Sequence, residues 1–360
     1  MSTQYGAMGI RVLKSHAVAA LVVMFLASAV FADVQYTVTD LPPPLGGQNL
    51  EAYGINASGQ VVGVFQTLEG WHHAFFYGGG ASVDLGTLGG NASEGLGINS
   101  SGTVVGDSFT ATGARRAFLW PPMHEPDPPL PGDYSQGFAI NDAGCITGRL
   151  GSSLGDSHAF LYSGGTTTDL GTFGGATSEG FAVNSSGKVA GGAQDASSIW
   201  HPFLYDGSFP LIPLGSLGGD YGTALDMNDA DLIVGQSERT DGVVHAFLYD
   251  GTIHDLDPLG TTQSGGSGIN ENGDIVGGKI VSGVWHAFLW KDSTMTDLNT
   301  LIDPLSGWVL NYAEDINDSG WIVGYGTFEG STHAFLLIPE PATLSLLALG
   351  GVAALLRKRR

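Results

Sequence analysis

The sequence predicts an all-β protein, a seven-bladed β-propeller in which the first strand completes the last blade. Three observations carry that expectation. A phrase of the form GINSSGTVVG, found at 97–106, occurs in seven variants whose Asn falls at 56, 99, 141, 184, 228, 270 and 317, in steps of 42 to 47 residues. A period near 43 with strand composition is that of four-stranded propeller blades. Glycine makes up 57 of 360 residues and only 13% are charged, too apolar for disorder and too Gly-rich for a helical chain. A strand-like segment, VQYTVTDLP at 34–42, stands before the first repeat, and the last repeat, 311–337, stops before a fourth strand of its own.

The chain opens with an address. Residues 1–16 carry Arg11, Lys14 and His16, residues 17–30 form an apolar run of 14, and Val30-Phe31-Ala32 offers a cleavage site before Asp33. Residues 1–32 therefore read as a signal peptide with its helix, a substrate of signal peptidase; an uncleaved anchor is the alternative.

Residues 33–338 are the expected propeller. Within one period, the residue before Asn is hydrophobic in every copy, and the residue four before it is small: Ala52, Gly95, Gly137, Gly180, Ala224, Gly266 and Ala313. This alternation gives a first strand, a. Asn56, Asn99, Asn141, Asn184, Asn228, Asn270 and Asn317 then open a turn. Gly follows three residues on, except where Asp231 stands in the fifth copy. Asn bonds its own following backbone, and Gly takes a positive φ without a Cβ clash. The second strand, b, is VVG, ITG, VAG or IVG, and its invariant Gly suggests a bulge or a close neighbour. About ten residues later comes the third strand, c: HAFFY at 73, RAFLW at 116, HAFLY at 158, HPFLY at 201, HAFLY at 245, HAFLW at 286 and HAFLL at 333. A fourth strand, d, is fullest as TDLGTLGG. Pairing 34–41 with 333–337 would close seven blades and remove the exposed end units of an open array. An open β-solenoid is the rival, and it leaves the complementarity of the two end fragments unexplained. Residues 34–337 resemble the HAF family of extracellular repeats, named for His-Ala-Phe, a resemblance that implies export and repetition. Copy two departs from it, with Arg116 for His and PPMHEPDPP at 121–129 in place of the d strand; copy four has Pro213 where Asp is expected.

The chain ends with a second address, residues 339–360. Pro339-Glu340-Pro341 breaks regular structure, 342–356 is an apolar run of 15, and Arg357, Lys358, Arg359 and Arg360 form a basic membrane stop. The plain reading is a C-terminal anchor helix. The order of the three parts is similar to the PEP-CTERM sorting signal of Gram-negative bacteria. That resemblance implies an exosortase as partner, transient anchoring in the inner membrane, removal of the tail, and delivery to the cell surface or an exopolysaccharide matrix. On it, Pro339, Glu340 and Pro341 are recognition residues of a substrate.

The net charge is −22, and residues 33–338 alone carry 34 acidic against 7 basic residues. Such a surface repels phosphate backbones and argues against nucleic acid as partner. One cysteine, Cys145, allows no internal disulfide, so packing and ladder hydrogen bonds must hold the exported chain.

No catalytic motif is present: no G-x-S-x-G, no H-E-x-x-H, no P-loop. Nothing in the pattern asks for a metal or a cofactor. His73, His158, His201, His245, His286 and His333, with Arg116 in the same place, are read as structural, because a residue in every blade usually serves the blade. Asp40, Asp84, Asp169, Asp255 and Asp297 are expected to pair with them or to cap turns. Residues that break the repeat are the better candidates for a ligand face: Trp71, His72, Arg115, Trp200, Trp308 and the 121–134 insert. The expected function is a surface or matrix protein that binds a polysaccharide or another surface protein, or serves only as structure. A polysaccharide hydrolase or lyase is the alternative, with two acids meeting at the central channel.

Overall fold

A computed structural model describes residues 35–126, 129–151 and 156–340. Residues 1–32, the expected signal peptide, together with Pro341, the 342–356 run and Arg357 to Arg360, lie outside the described residues. The described chain is all-β, built of short antiparallel strands in sequence order.

Each phrase folds as an a–b hairpin. In the first copy a is Gln48–Ile55 and b is Val61–Gln66. The Asn56 carboxamide oxygen accepts the backbone N–H of Ser58 and of Gln60, both at 3.0 Å, and Gly59 donates to the Asn56 carbonyl at φ +73°. The other Asn residues anchor the equivalent turn, and Asp231 fills the glycine position at φ 63°. One function of this Asn was not legible in the sequence. Its amide also reaches the next copy: Asn56 donates to the Asn99 carbonyl, Asn99 to Asn141, Asn141 to Asn184, Asn228 to Asn270 and Asn270 to Asn317, at 2.7–3.2 Å. Asn184 donates instead to the Asp231 carboxylate. Asn317 donates to the Asn56 carbonyl at 3.0 Å, so the seventh copy is bonded to the first.

The b-strand glycine has the expected cause. A Cβ on Gly63 would lie 2.0 Å from the Glu51 carbonyl oxygen, and one on Gly106 1.9 Å from that of Glu94. The a strand is bulged opposite it and presses its backbone onto b.

The c strand carries the core. Phe75, Phe118, Phe160, Phe203, Phe247, Phe288 and Phe335 are all fully buried. Each lies in a cluster shared by two consecutive copies: Val105 and Ala117 of copy two pack with Ile146 and Phe160 of copy three. The cluster of Val323, Ala334 and Leu336 with Ala52, Val61 and Phe75 joins copy seven to copy one. The core is therefore between sheets, and the small a-strand residue leaves room for the neighbour's b strand: a Cβ on Gly137 would lie 2.4 Å from Val105 Cγ2.

The d strands differ from expectation in extent. They end near the Asp, as in Ala81–Asp84 and Thr166–Gly171, and the following Gly-Gly begins the next a strand, Gly89–Ile98 and Gly174–Val183. Among the described residues copy two shows no d strand: Gly89–Ile98, Val104–Thr110 and Arg115–Trp120 form a three-stranded sheet. Leu130 of its insert is buried in the cluster between copies two and three. The N-terminal strand Tyr36–Asp40 pairs antiparallel with the last c strand, Ser331–Pro339, in the place of a fourth strand.

Candidate functional site

Every a strand skips one residue in its register with b, three positions before the Asn. The skipped residues are Tyr53, Leu96, Phe138, Phe181, Leu225, Ser267 and Glu314. All seven line one cavity of about 690 Å³. A bulge re-aims the side chain it displaces. Here seven bulges aim side chains of five types at a common space.

The cavity has two unlike sides. Copies two to four carry a charge-paired network. Arg115 Nε donates to Asp107 at 2.5 Å and its terminal nitrogen to Glu94 at 3.2 Å; Gln136 donates to Asp107 at 2.7 Å. Arg149 donates to Gln136 at 2.7 Å and also pairs with Glu179. Burial raises the carboxyl of Glu94, with Asp107 adding to it and Arg115 opposing. Burial raises Glu179 too, against the pull of Arg149. Phe138 and Phe181 stack beside this network with centroids 5.2 Å apart.

The other side holds acids and tyrosines. Tyr53 donates to Glu51 at 2.8 Å, and Tyr312 stacks on Tyr325 at 6.1 Å. Glu314 is pushed up to about 8 by burial, then by the charges of Glu51 and Asp315. Burial also raises Tyr312, and it raises Tyr325 to about 12. Asp226 and Asp315 are raised by burial, Asp226 also by Asp315. Each of these two accepts a backbone N–H from the next copy, Asp226 from Ile269 and Asp315 from Ile55, both at 2.8 Å.

A raised carboxyl stabilises the fold while protonated. The Glu314 contribution is complete below its ordinary value of 4.5 and is lost as pH rises through about 8. Glu314→Gln is therefore expected to flatten the fall in Tm between pH 5 and 8.5, gaining roughly 2 kcal/mol at the alkaline end. Thermal melts across that range test this, and parallel curves for the two proteins would show that Glu314 is not held protonated.

Of the residues singled out in the sequence, Arg115 belongs to the network beside this cavity; the others lie elsewhere. His73, His158, His245, His286 and His333 set Nδ1 within 2.7–3.0 Å of Asp84, Asp169, Asp255, Asp297 and Asp40. Four of these, Asp84, Asp169, Asp255 and Asp297, also accept the backbone N–H two residues on, as Asp84 does from Gly86; at Asp40 that place is held by Pro42, which has none. His201, in the copy where Pro213 takes the Asp position opposite Phe203, turns to Asp195 at 3.2 Å. Arg116 reaches around the insert to the carbonyls of Leu130 and Gly132 and to Glu125. Trp71 and His72 are exposed at the b–c turn of copy one, and Trp200 begins the c strand of copy four. Trp308 stacks on Phe328 at 4.9 Å and abuts Phe335. None of these four lines the cavity. Sequence reasoning passed over the skipped position because it does not repeat. Its signal was variability between two fixed neighbours, the small residue and the Asn. Among the described residues no group of three His, Cys, Asp or Glu is placed to hold a metal, and no helix is long and apolar enough to cross a membrane.

Residues 337–360 match the PEP-CTERM protein-sorting motif. The motif marks the chain as exported, anchored in the membrane before processing, and processed by an exosortase. No curated protein matches the sequence. Among solved structures, the chain is similar to the β-propeller domain of the Trilobed protease from Pyrococcus furiosus, at 8% identity and TM-score 0.55, over 81% of this chain and 95% of that one. It is similar to a puromycin-hydrolyzing peptidase of Mycobacterium tuberculosis, at 12% identity and TM-score 0.59, over 85% of this chain and 54% of that one. The extracellular domain of a putative one-component system from B. thetaiotaomicron matches at 12% identity and TM-score 0.51, over 83% of this chain and 39% of that one. At these identities the likeness is one of fold, the β-propeller.

Proposed function

We propose that the chain is a seven-bladed propeller of HAF-type repeats, delivered to the cell surface or its matrix, that binds a neutral glycan in its central channel. The convergence on one cavity of seven side chains of five types, Tyr, Leu, Phe, Ser and Glu, carries this reading. Every other repeated position serves its blade, as the His–Asp pairs and Asn turns do; this position varies in chemistry while its geometry is constant. Stacked aromatic rings beside carboxyls suit the apolar face and the hydroxyls of a sugar. The acid surplus of the chain disfavours uronate-rich or sulfated polymers. The seven-blade count is supported by the seven core clusters, and closure by the Asn317–Asn56 bond and the strand pairing of 36–40 with 331–339. Pro339, Glu340 and Pro341 are then recognition residues of the sorting enzyme, and Arg357 to Arg360 the membrane stop.

The test is a glycan array on residues 33–338, followed by titration with any hit. Phe181→Ala is expected to weaken binding at least tenfold, about 1.4 kcal/mol, while Trp71→Ala leaves it unchanged. A blank array would leave a purely structural matrix protein.

Glu314 favours a second reading. A carboxylic acid kept protonated near neutral pH beside a second carboxyl group, Glu51, is a general acid of the glycosidase kind. Release of reducing ends from a bound glycan, lost in Glu314→Gln with binding retained, would move the assignment to a hydrolase.

A further inference from the structure

The sorting motif begins inside the fold. Pro339 is the last residue of the final c strand and sits opposite Tyr36 in the ladder. Glu340 donates its backbone N–H to the Gln35 carbonyl at 2.8 Å, and its carboxylate accepts the Thr37 hydroxyl. Pro339 also faces the last a–b turn, where a Cβ on Gly320 would lie 3.5 Å from its ring. The strand that holds the motif is itself anchored: Tyr36 and Leu41 are buried, and Leu41 donates to the Ala334 carbonyl.

A protease that reads an extended peptide takes its substrate's backbone as an added strand, which requires free N–H and C=O groups. Here Gln35 holds the N–H of Glu340, and Thr37 holds its side chain. We infer that strand Tyr36–Asp40 masks the sorting motif, so that the sorting enzyme seats Pro339 and Glu340 only before this strand docks or after it is released. The strand and the motif lie beside the two ends that are processed, Asp33 after the leader and Pro341 before the tail. Docking of the N-terminal strand therefore competes with sorting for one stretch of backbone. This holds whatever the channel binds. Strand release is a local opening, well short of unfolding, because only one sheet edge is lost.

The register pairs Thr37 with Ile338, and directly opposed residues of an antiparallel pair lie within reach of a disulfide. The full-length double variant Thr37→Cys/Ile338→Cys, folded and presented to membranes of its producing host, is expected to lose its tail at least tenfold more slowly when oxidised. Reductant should restore the rate of the same molecule, which controls for the substitutions themselves. A second variant inserts six Gly/Ser residues between Ile338 and Pro339, leaving the ladder up to Ile338 intact and freeing the motif; the folded protein should be processed several-fold faster than the unaltered chain. Tail loss is read by intact mass. Equal rates for oxidised and reduced protein, or no gain from the linker, would overturn the masking.

Discussion

Gly277→Ala is expected to cost about 3 kcal/mol or more, as is the same change at the equivalent b-strand glycines. The new Cβ would lie 2.0 Å from the carbonyl oxygen of Gly265, a backbone atom fixed by the ladder between Ser264–Ile269 and Ile275–Val281. Relief requires the two strands to part, and Ile275 of the same strand contributes to the core between copies five and six. For a chain of this size the change corresponds to a drop in Tm of roughly 4–5 °C or more. Gly113→Ala is the control. Its surroundings are open and only its φ of +83° opposes a side chain, at roughly 1 kcal/mol. Equal melting temperatures for the two variants would refute close approach as the reason for the b-strand glycine.

Phe160→Ala should cost about 3–5 kcal/mol. The ring is fully buried among Val105, Ala117, Leu130, Ile146 and Leu150, and these come from two copies. The location of the damage is the sharper measurement. Hydrogen exchange is expected to rise in 104–120 as well as in 146–162, because the cavity opens between sheets. Loss of protection in copy three alone would mean that each sheet is stabilised within itself.

These two sites also show how much the sequence could say. The glycine, the phenylalanine and the Asn turn are read from one copy and verified in six others, because their causes are local or lie in the adjacent unit. The complementarity of 34–42 with the last repeat was legible for the same reason: a missing element in a periodic text can be counted. The cavity was not legible. Tyr53, Phe181 and Glu314 have no common chemistry, and only the bulge, which no residue type announces, turns them to one side. The network of Arg115, Asp107, Gln136 and Arg149 joins copies two and three through side chains that match no repeat. Trp308 drew notice because it breaks the pattern, and it does so to stack on Phe328. Irregularity in a connection can thus serve packing, while variation at a fixed position is what reaches the channel.

The Asn residues that hand a hydrogen bond from copy to copy, with the last returning it to the first, have an evolutionary consequence. Linear repeat arrays gain and lose units by tandem duplication, and new length can become new function. In the closed ring proposed above the final unit must meet the first, and the chain has no such freedom. An eighth copy would enter between partners already in contact, and a deleted one would leave two that do not fit. Copy number is then inherited as a fixed quantity, and novelty is confined to substitution within units. The varied residues three places before each Asn record where that substitution has gone.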